Sequence, residues 1–369
     1  MTGKLVLENL KNRPMRSLLS ILLIGVPVTL ILCLVGISHG FIEDSQKRQR
    51  GIGADILIRP KTSSLLSLSS APIPQQLVEY VARQPHVKMA TGVFSVTVEG
   101  VTLTATGINY QEFARMSGGF RFLSGGPFQR PDDAIIDDYY ADQTKAKVGS
   151  TITLLNSKWH VCGIMESGKL SHILLPIDTL RERNGNTGNV NQIYIKLDDP
   201  AYTQATIDYL KDPAQGRLVD YPIFSMEMFT SLLNVNNIPA LAGFIAVVVG
   251  IGVVIGFAVV CLSMYMAVLQ RTREIGILKS LGASKGFILG IILSEALCLG
   301  IGGTVLGIAM SYGAVGLIHF LKPASLPMII AYDWWLYAGA ITVVGALLGA
   351  LYPGLTAAMH DPIEALSYE

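Results

Sequence analysis

Four stretches of the chain are apolar far beyond the rest: Leu18 to Ile37, Leu241 to Val268, Phe287 to about Phe320, and Trp334 to about Ala358. Each is at least as long as the roughly 20 residues that cross a bilayer as a helix, so the pattern predicts four membrane spans. Residues 241–268 carry no charged side chain, and residues 286–318 carry one, Glu295. Between them lies "LQRTREIGILKSLGASK", residues 269–285. Read as a helix over 271–281, it places Ile275, Leu278 and Leu281 on one side and Arg271, Glu274 and Lys279 elsewhere around it. Gly282 then supplies a stop. The expectation is a short helix at the membrane surface, serving either as a lipid anchor or as a docking element for another protein.

The region between the first two spans has a different texture. "ADILIRP" and "NQIYIKLDD" read as strands, and "VFSVTVEGVTLTATGI" as a hairpin turning near Glu99 and Gly100. "STITLLNSKWHVCGIM" reads as a second hairpin, turning near Asn156 and Ser157. "AYTQATIDYLKD" and "SMEMFTSLLNVN" have helical spacing. The fold class is therefore a membrane protein with four transmembrane α-helices, one before and three after an inserted α+β domain. The expected boundaries are an N-terminal amphipathic helix at 1–17, span one at 18–40, the domain at 41–239 and span two at 240–268. A short charged helical segment at 269–286, spans at 287–320 and 334–358, and a tail at 359–369 complete the chain. "KTSSLLSLSSAPIP" marks a Ser-rich external loop or a lip near the membrane.

Half of the residues are hydrophobic and 15% are charged, against about a quarter in soluble domains. The formal net charge of +1 gives no field that would call for nucleic acid. Lys4, Lys11, Arg13 and Arg16 precede span one, and Arg271, Arg273, Lys279 and Lys285 lie between spans two and three. The positive-inside rule puts both groups in the cytoplasm, together with both termini, and puts the inserted domain outside. The apolar part of span one is longer than a signal-peptide core and no A-x-A-like site follows it, so it is expected to remain as an anchor. Glycines at 303 and 307, and at 345 and 349, form two G-x-x-x-G pairs of the kind that lets helices touch in lipid.

Chemical motifs are sparse. "GISHG", residues 36–40, fits G-x-S-x-G, but it ends a membrane helix rather than following a strand, so Ser38 is not expected to be a nucleophile. No phosphate-cradling G-x-x-x-x-G-K-[ST] occurs, so the chain is expected to bind no cofactor itself, and any ATP and Mg would sit on a partner. No H-E-x-x-H or C-x-x-C occurs. His160 and Cys162 face one side of a strand, more simply as packing than as metal ligands. Cys33, Cys261 and Cys298 fall in spans and leave Cys162 without a disulfide partner. Asp137 and Asp138 follow a short apolar strand and are placed to cap a helix. Glu295 sits about ten residues, or roughly 15 Å, into its helix; a carboxylate there is expected either to reach the interface or to pair within the bundle.

The segment "RTREIGILKSLGASKGFILGIILSEAL" closely resembles the region after the second span of MacB/FtsX-type permeases of ATP-binding-cassette transporters. "HDPIEALSYE" is similar to the family's C-terminal tail and "NLKNRPMRSLLSILLIGV" to its N-terminal helix. "AKVGSTITLLNSKWHVCGIMESG" and "ILLPIDTLRER" resemble its extracytoplasmic domain. The resemblance implies a permease, itself without catalysis, in a bacterial inner membrane. It would act as a homodimer with two cytoplasmic ATPase subunits and, in some members, a periplasmic adaptor. It makes Arg271, Arg273, Glu274, Ile275, Gly276, Lys279, Leu281, Gly282 and Ala283 the ATPase-coupling segment, and Pro362, Glu364, Ala365 and Leu366 the tail motif. The layout, without a fused ATPase, is closer to DevC, haem-exporting and lipoprotein-releasing permeases than to MacB itself. The implied cargo is hydrophobic or amphipathic: a lipid, a lipoprotein, haem or a drug. His39, at the outer end of span one, is a candidate haem ligand that more simply meets lipid headgroups. The alternative is an FtsX-like signalling protein that regulates an extracytoplasmic partner.

Overall fold

A computed structural model describes residues 14–61, 63, 71–99, 103–214, 216, 218–321 and 328–359. The expected helix at 1–17 lies outside these apart from its last four residues, as do all but the first residue of the tail, most of the Ser-rich loop, and the 100–102 turn. The chain divides into two units, one built on residues 1–39, 240–320 and 328–369 and the other on Gly40–Pro239.

The first unit is built on four helices long and apolar enough to cross a membrane: α1 (Pro14–Arg50), whose residues up to His39 belong to this unit and the rest to the other, α8 (Pro239–Leu269), α10 (Lys285–Leu321) and α11 (Asp333–Met359). A shorter helix, α9 (Thr272–Ser280), stands between α8 and α10. The four long helices coincide with the expected spans, except that α1 runs ten residues beyond the expected end at Gly40, to Arg50. Its extension, "FIEDSQKRQR", is mostly polar yet rich in good helix formers.

Ile24, Val260, Met264, Ile292, Ala296, Ala346 and Ala350 share one buried cluster, so all four helices contribute to a single core. Small residues set their spacing. A Cβ placed on Gly303 would lie 2.4 Å from Ile24 Cγ2, and one on Gly307 would lie 2.6 Å from Val28 Cβ. The Thr29 hydroxyl donates to the Gly307 carbonyl at 3.1 Å. The first G-x-x-x-G is thus the α1–α10 contact. The second pair splits: a Cβ on Gly349 would meet the Phe257 carbonyl of α8 at 2.7 Å, whereas one on Gly345 would meet nothing within 4 Å.

The second unit holds a ten-stranded mixed sheet in the order β12-β1-β11-β3-β4-β9-β6-β8-β5, with β7 also paired to β8. Its strands are β1 (Ile56–Ile58), β3 (Val87–Glu99), β4 (Leu103–Ile108), β5 (Phe122–Gly125), β6 (Asp133–Asp137) and β7 (Thr151–Leu154), then β8 (Ser157–Met165), β9 (Ile173–Pro176), β11 (Gln192–Leu197) and β12 (Ile223–Ser225). A small two-stranded sheet pairs β2 (Ile73–Pro74) with β10 (Asn189–Val190). The helices are α2 (Gln75–Ala82), α3 (Tyr110–Met116), α4 (Asp138–Thr144), α5 (Ile177–Arg183), α6 (Thr203–Lys211) and α7 (Met226–Leu232).

Both sheet faces are buried. Ile56, Ile58, Ile136, Ile193 and Ile195 pack into one core, and Leu57, Ile135 and Tyr194 into the other, which is why strands such as "ILI" and "QIYIKL" read as continuous apolar runs rather than alternating ones. The β3–β4 and β7–β8 hairpins pair as expected. The second turns one residue earlier than expected, at Leu155 and Asn156, whose positive φ values of 51° and 58° suit a two-residue hairpin loop. Trp159 on β8 is 1% exposed, and the Arg183 guanidinium lies over its ring at 4.1 Å.

Candidate coupling site

The chain leaves α8 at Leu269 and re-enters helix at Thr272, where the Ile275 amide donates to the Arg271 carbonyl at 2.9 Å. At the other end Gly282 has φ +92°. Its amide donates to the Lys279 carbonyl, and that of Ala283 to the Leu278 carbonyl, each at 3.0 Å. This nested pair, closed by a glycine, terminates a helix while satisfying its last carbonyls. Ser284 starts the next helix at once, its hydroxyl accepting from the Phe287 amide at 3.2 Å. The sequence "SLGAS" therefore encodes a stop and a start within five residues, and the short helix between is fixed in length from both sides.

Two polar ties and an apolar seam hold α9 in place. Arg271 Nη1 lies 3.3 Å from Glu295 Oε2, with the two side chains 12% and 3% exposed. Of the two sequence expectations for Glu295, pairing within the bundle is the one observed. Lys279 Nζ donates to the Ala358 carbonyl at 2.9 Å, so a cation caps the last turn of α11, where the helix dipole favours it. Gly276 is buried, and Ile275 and Ala283 pack against the cluster of Val268, Ile288 and Ile292. A crevice of about 110 Å³ remains between α8, α9 and α10, with Arg271, Glu274 and Glu295 among its lining residues.

Arg273, Glu274, Ile277, Leu278 and Leu281 are exposed, Leu281 at 79%. This corrects the expectation that Ile275, Leu278 and Leu281 share a side. At about 100° per residue, Ile275 and Leu281 stand about 120° apart, and the bundle takes Ile275 while Leu281 turns away. Ile277, 45% exposed, is an outward apolar residue that the sequence reading omitted; its place four residues after Arg273 is the signal that would have found it. Of the expected coupling residues, Arg271, Ile275, Gly276, Lys279 and Ala283 face or tie inward, Gly282 ends the helix, and Arg273, Glu274 and Leu281 point out. Pro362, Glu364, Ala365 and Leu366 lie outside the described residues.

The other candidates resolve into structural roles. Ser38 sits inside α1, 4% exposed, its hydroxyl donating to the Leu34 carbonyl at 2.8 Å. His160 Nδ1 lies 2.9 Å from Asp133 Oδ1. The Cys162 thiol faces the Ala134 carbonyl at 3.5 Å, and burial foremost pushes its pKa up to about 12. Among the described residues, no three His, Cys, Asp or Glu side chains are grouped to hold a metal ion.

One apolar helix before an inserted α+β domain, three after it, and a short charged helix between the second and third define a multi-pass membrane protein of permease type. Residues 17–212 match the MacB-like periplasmic core domain, and residues 240–362 match the FtsX-like permease C-terminal domain. The chain is 30% identical over 227 residues to the ABC transporter permease YknZ of Bacillus subtilis (strain 168), covering 60% of this chain and 55% of that protein. It is 24% identical over 398 residues to the macrolide export ATP-binding/permease protein MacB of Sodalis glossinidius (strain morsitans), covering 99% of this chain and 60% of that protein. The periplasmic region of MacB from Actinobacillus actinomycetemcomitans is a solved structure at 15% identity and TM-score 0.37, covering 50% of this chain and 94% of that one. The chain spans between half and two thirds of the length of the curated relatives it matches. It belongs to the MacB/FtsX-type ABC transporter permeases.

Proposed function

We propose that this chain is the membrane subunit of an ATP-driven complex in which a separate cytoplasmic ATP-binding-cassette ATPase docks on the outward face of α9. The observation that carries the reading is the division of α9 into two faces. One is tied inward by Arg271, Gly276, Ile275 and Lys279; the other presents Arg273, Glu274, Ile277 and Leu281. Apolar and charged side chains together, on a helix whose position and length are fixed, suit a groove on a protein partner. ATP and Mg belong to that partner. Two copies of each subunit in a bacterial inner membrane, with both termini cytoplasmic as the basic residues direct, complete the assembly. Closure of the ATPase pair displaces α9, and the four-helix core carries the displacement to the inserted domain. Span one has no charged side chain from Leu18 to Ile37, which favours a hydrophobic or amphipathic cargo expelled or extracted on the outer side.

The test is a detergent pull-down of tagged protein, wild type beside Glu274→Lys with Leu281→Asp, read as captured ATPase and its ATP turnover. Both positions are exposed, so the variant is expected to keep the wild-type melting temperature and lose the ATPase. Equal capture by a folded variant removes α9 as the docking element. Capture of no ATPase by the wild type removes the reading as a whole.

A further inference from the structure

Within the inserted domain, the last turns of α1 are gripped by the loop between β8 and β9, residues 166–172. The Leu170 amide donates to the Arg48 carbonyl at 3.2 Å. A Cβ on Gly51 would fall 2.0 Å from the Gly168 carbonyl oxygen, so the helix end and the loop touch backbone to backbone. Leu170 is 8% exposed and held at φ +57°, a left-handed conformation unusual for a branched apolar residue. The loop is therefore bent to bring its side chain into the core.

Beneath this loop lies a buried charge cluster. Arg48, 5% exposed, directs Nε to Asp44 Oδ2 at 2.7 Å along its own helix. Its Nη2 reaches Asp137 Oδ2 at 3.0 Å and His172 Nδ1 at 2.9 Å. His172 Nδ1 is also 2.9 Å from Asp137 Oδ2. Asp137 is fully buried and accepts the Tyr140 amide at 2.8 Å. Burial pushes its pKa up, but the hydrogen bond and charge of His172, the Arg48 charge and that amide outweigh this and hold it below the usual carboxylate range. Arg48 Nη1 is buried without a hydrogen-bond partner, so the guanidinium is incompletely satisfied.

One imidazole nitrogen faces a donor and a carboxylate at the same distance and cannot serve both. In the neutral tautomer that carries its proton on Nε2, Nδ1 accepts from Arg48, and Arg48 bridges His172 and Asp137. In the imidazolium both ring nitrogens are donors, so Nδ1 donates to Asp137, and it and Arg48 Nη2, both cationic donors, are left facing each other at 2.9 Å. We propose that His172 is a proton-operated catch: neutral, it holds Arg48 across to β6 and clasps the end of α1; protonated, it displaces Arg48 onto Asp44 and releases the clasp.

The surrounding groups permit this. Asp44 and Arg48 come from α1, and Asp137, Asp138 and Tyr139 from the β6–α4 corner, with the Tyr139 ring stacked on His172 at 5.9 Å. Asp138 accepts from the Ser167 and Tyr139 amides. Within the loop, Lys169 turns to the Ser117 and Gly119 carbonyls and Glu166 to Arg121. With Asp44 and Asp137 against Arg48 alone, the cluster has a negative charge to spare for an imidazolium. The His172 side chain is 21% exposed, open to protons. Asp137, held below the usual carboxylate range, stays ionised while the imidazole gains its proton.

Any effect of the catch on transport rests on the coupling reading, but the catch is read directly by hydrogen exchange. The experiment uses full-length protein in nanodiscs, with protection of residues 40–52 measured at pH 5.5 and 7.5 and corrected for intrinsic exchange chemistry. Wild type is expected to lose protection about tenfold at pH 5.5. His172→Gln, able to accept from Arg48 but unable to titrate, is expected to stay protected at both. Wild-type protection independent of pH overturns the proposal without recourse to any variant. The same pH response in His172→Gln overturns it too, by assigning the effect to another group. Either result leaves ATPase docking on α9 untouched.

Discussion

The α1–α10 contact sets a quantitative expectation for Gly307→Ala. The added Cβ would sit 2.6 Å from Val28 Cβ and 2.8 Å from the Gly25 carbonyl oxygen, whereas apolar atoms rest about 3.5–4.0 Å apart. The helices must therefore part by about 1 Å. Overpacking of this kind costs about 1–3 kcal/mol. Parting also stretches the bond from Thr29 to the Gly307 carbonyl, worth about 0.5–1.5 kcal/mol. Against this, exchanging Gly for Ala inside a helix returns about 0.5–1 kcal/mol. The net loss is about 0.5–4 kcal/mol, or a melting temperature lower by about 1–16 °C at roughly 2–4 °C per kcal/mol. Gly313→Ala on the same helix meets nothing within 4 Å and is the control, expected to be unchanged or slightly stabilised. Scanning fluorimetry in detergent reads both. If Gly307→Ala melts no lower than Gly313→Ala, the close approach of α1 and α10 through these glycines is refuted.

Glu295→Ala breaks the buried pair with Arg271 and is expected to cost about 3 kcal/mol in the same melt. Lys279→Met removes the cation at the Ala358 carbonyl and should lower stability by about 1 kcal/mol, with faster hydrogen exchange confined to the last turn of α11. Because the folded pKa of Asp137 lies below its unfolded value, its stabilising contribution is complete above the ordinary carboxylate range, near pH 4, and disappears as pH falls through the folded value. Far-ultraviolet circular dichroism melts from pH 6 to pH 3 should therefore fall more steeply in wild type than in Asp137→Asn.

Much of this was legible beforehand because lipid imposes a coarse rule: backbone polar groups must be satisfied within the span, so long apolar runs become helices. Span positions, both hairpins, the Gly282 stop and the helix-capping role of Asp137 followed from local pattern. What escaped was set by tertiary contact. The extension of α1 to Arg50 is mostly polar and is held by packing within the inserted domain. That Asp137 also grips Arg48 and His172 joins residues 35 and 89 positions away, a distance no local pattern spans. On α9 the sequence shows a helix and its stop but not its inward face: Ile275 and Leu281 stand about 120° apart, and the bundle leaves room for Gly276 and Ile275 rather than Leu281.

The burial of Trp159 beneath the Arg183 guanidinium has a spectroscopic consequence. The chain has three tryptophans; Trp159 lies in the inserted domain, and Trp334 and Trp335 lie in α11. Replacing the latter two by Phe would leave a single emitter in a dry, cation-capped site. Its blue-shifted fluorescence would then report on the inserted domain alone, without an introduced dye, while the rest of the protein remains embedded in lipid.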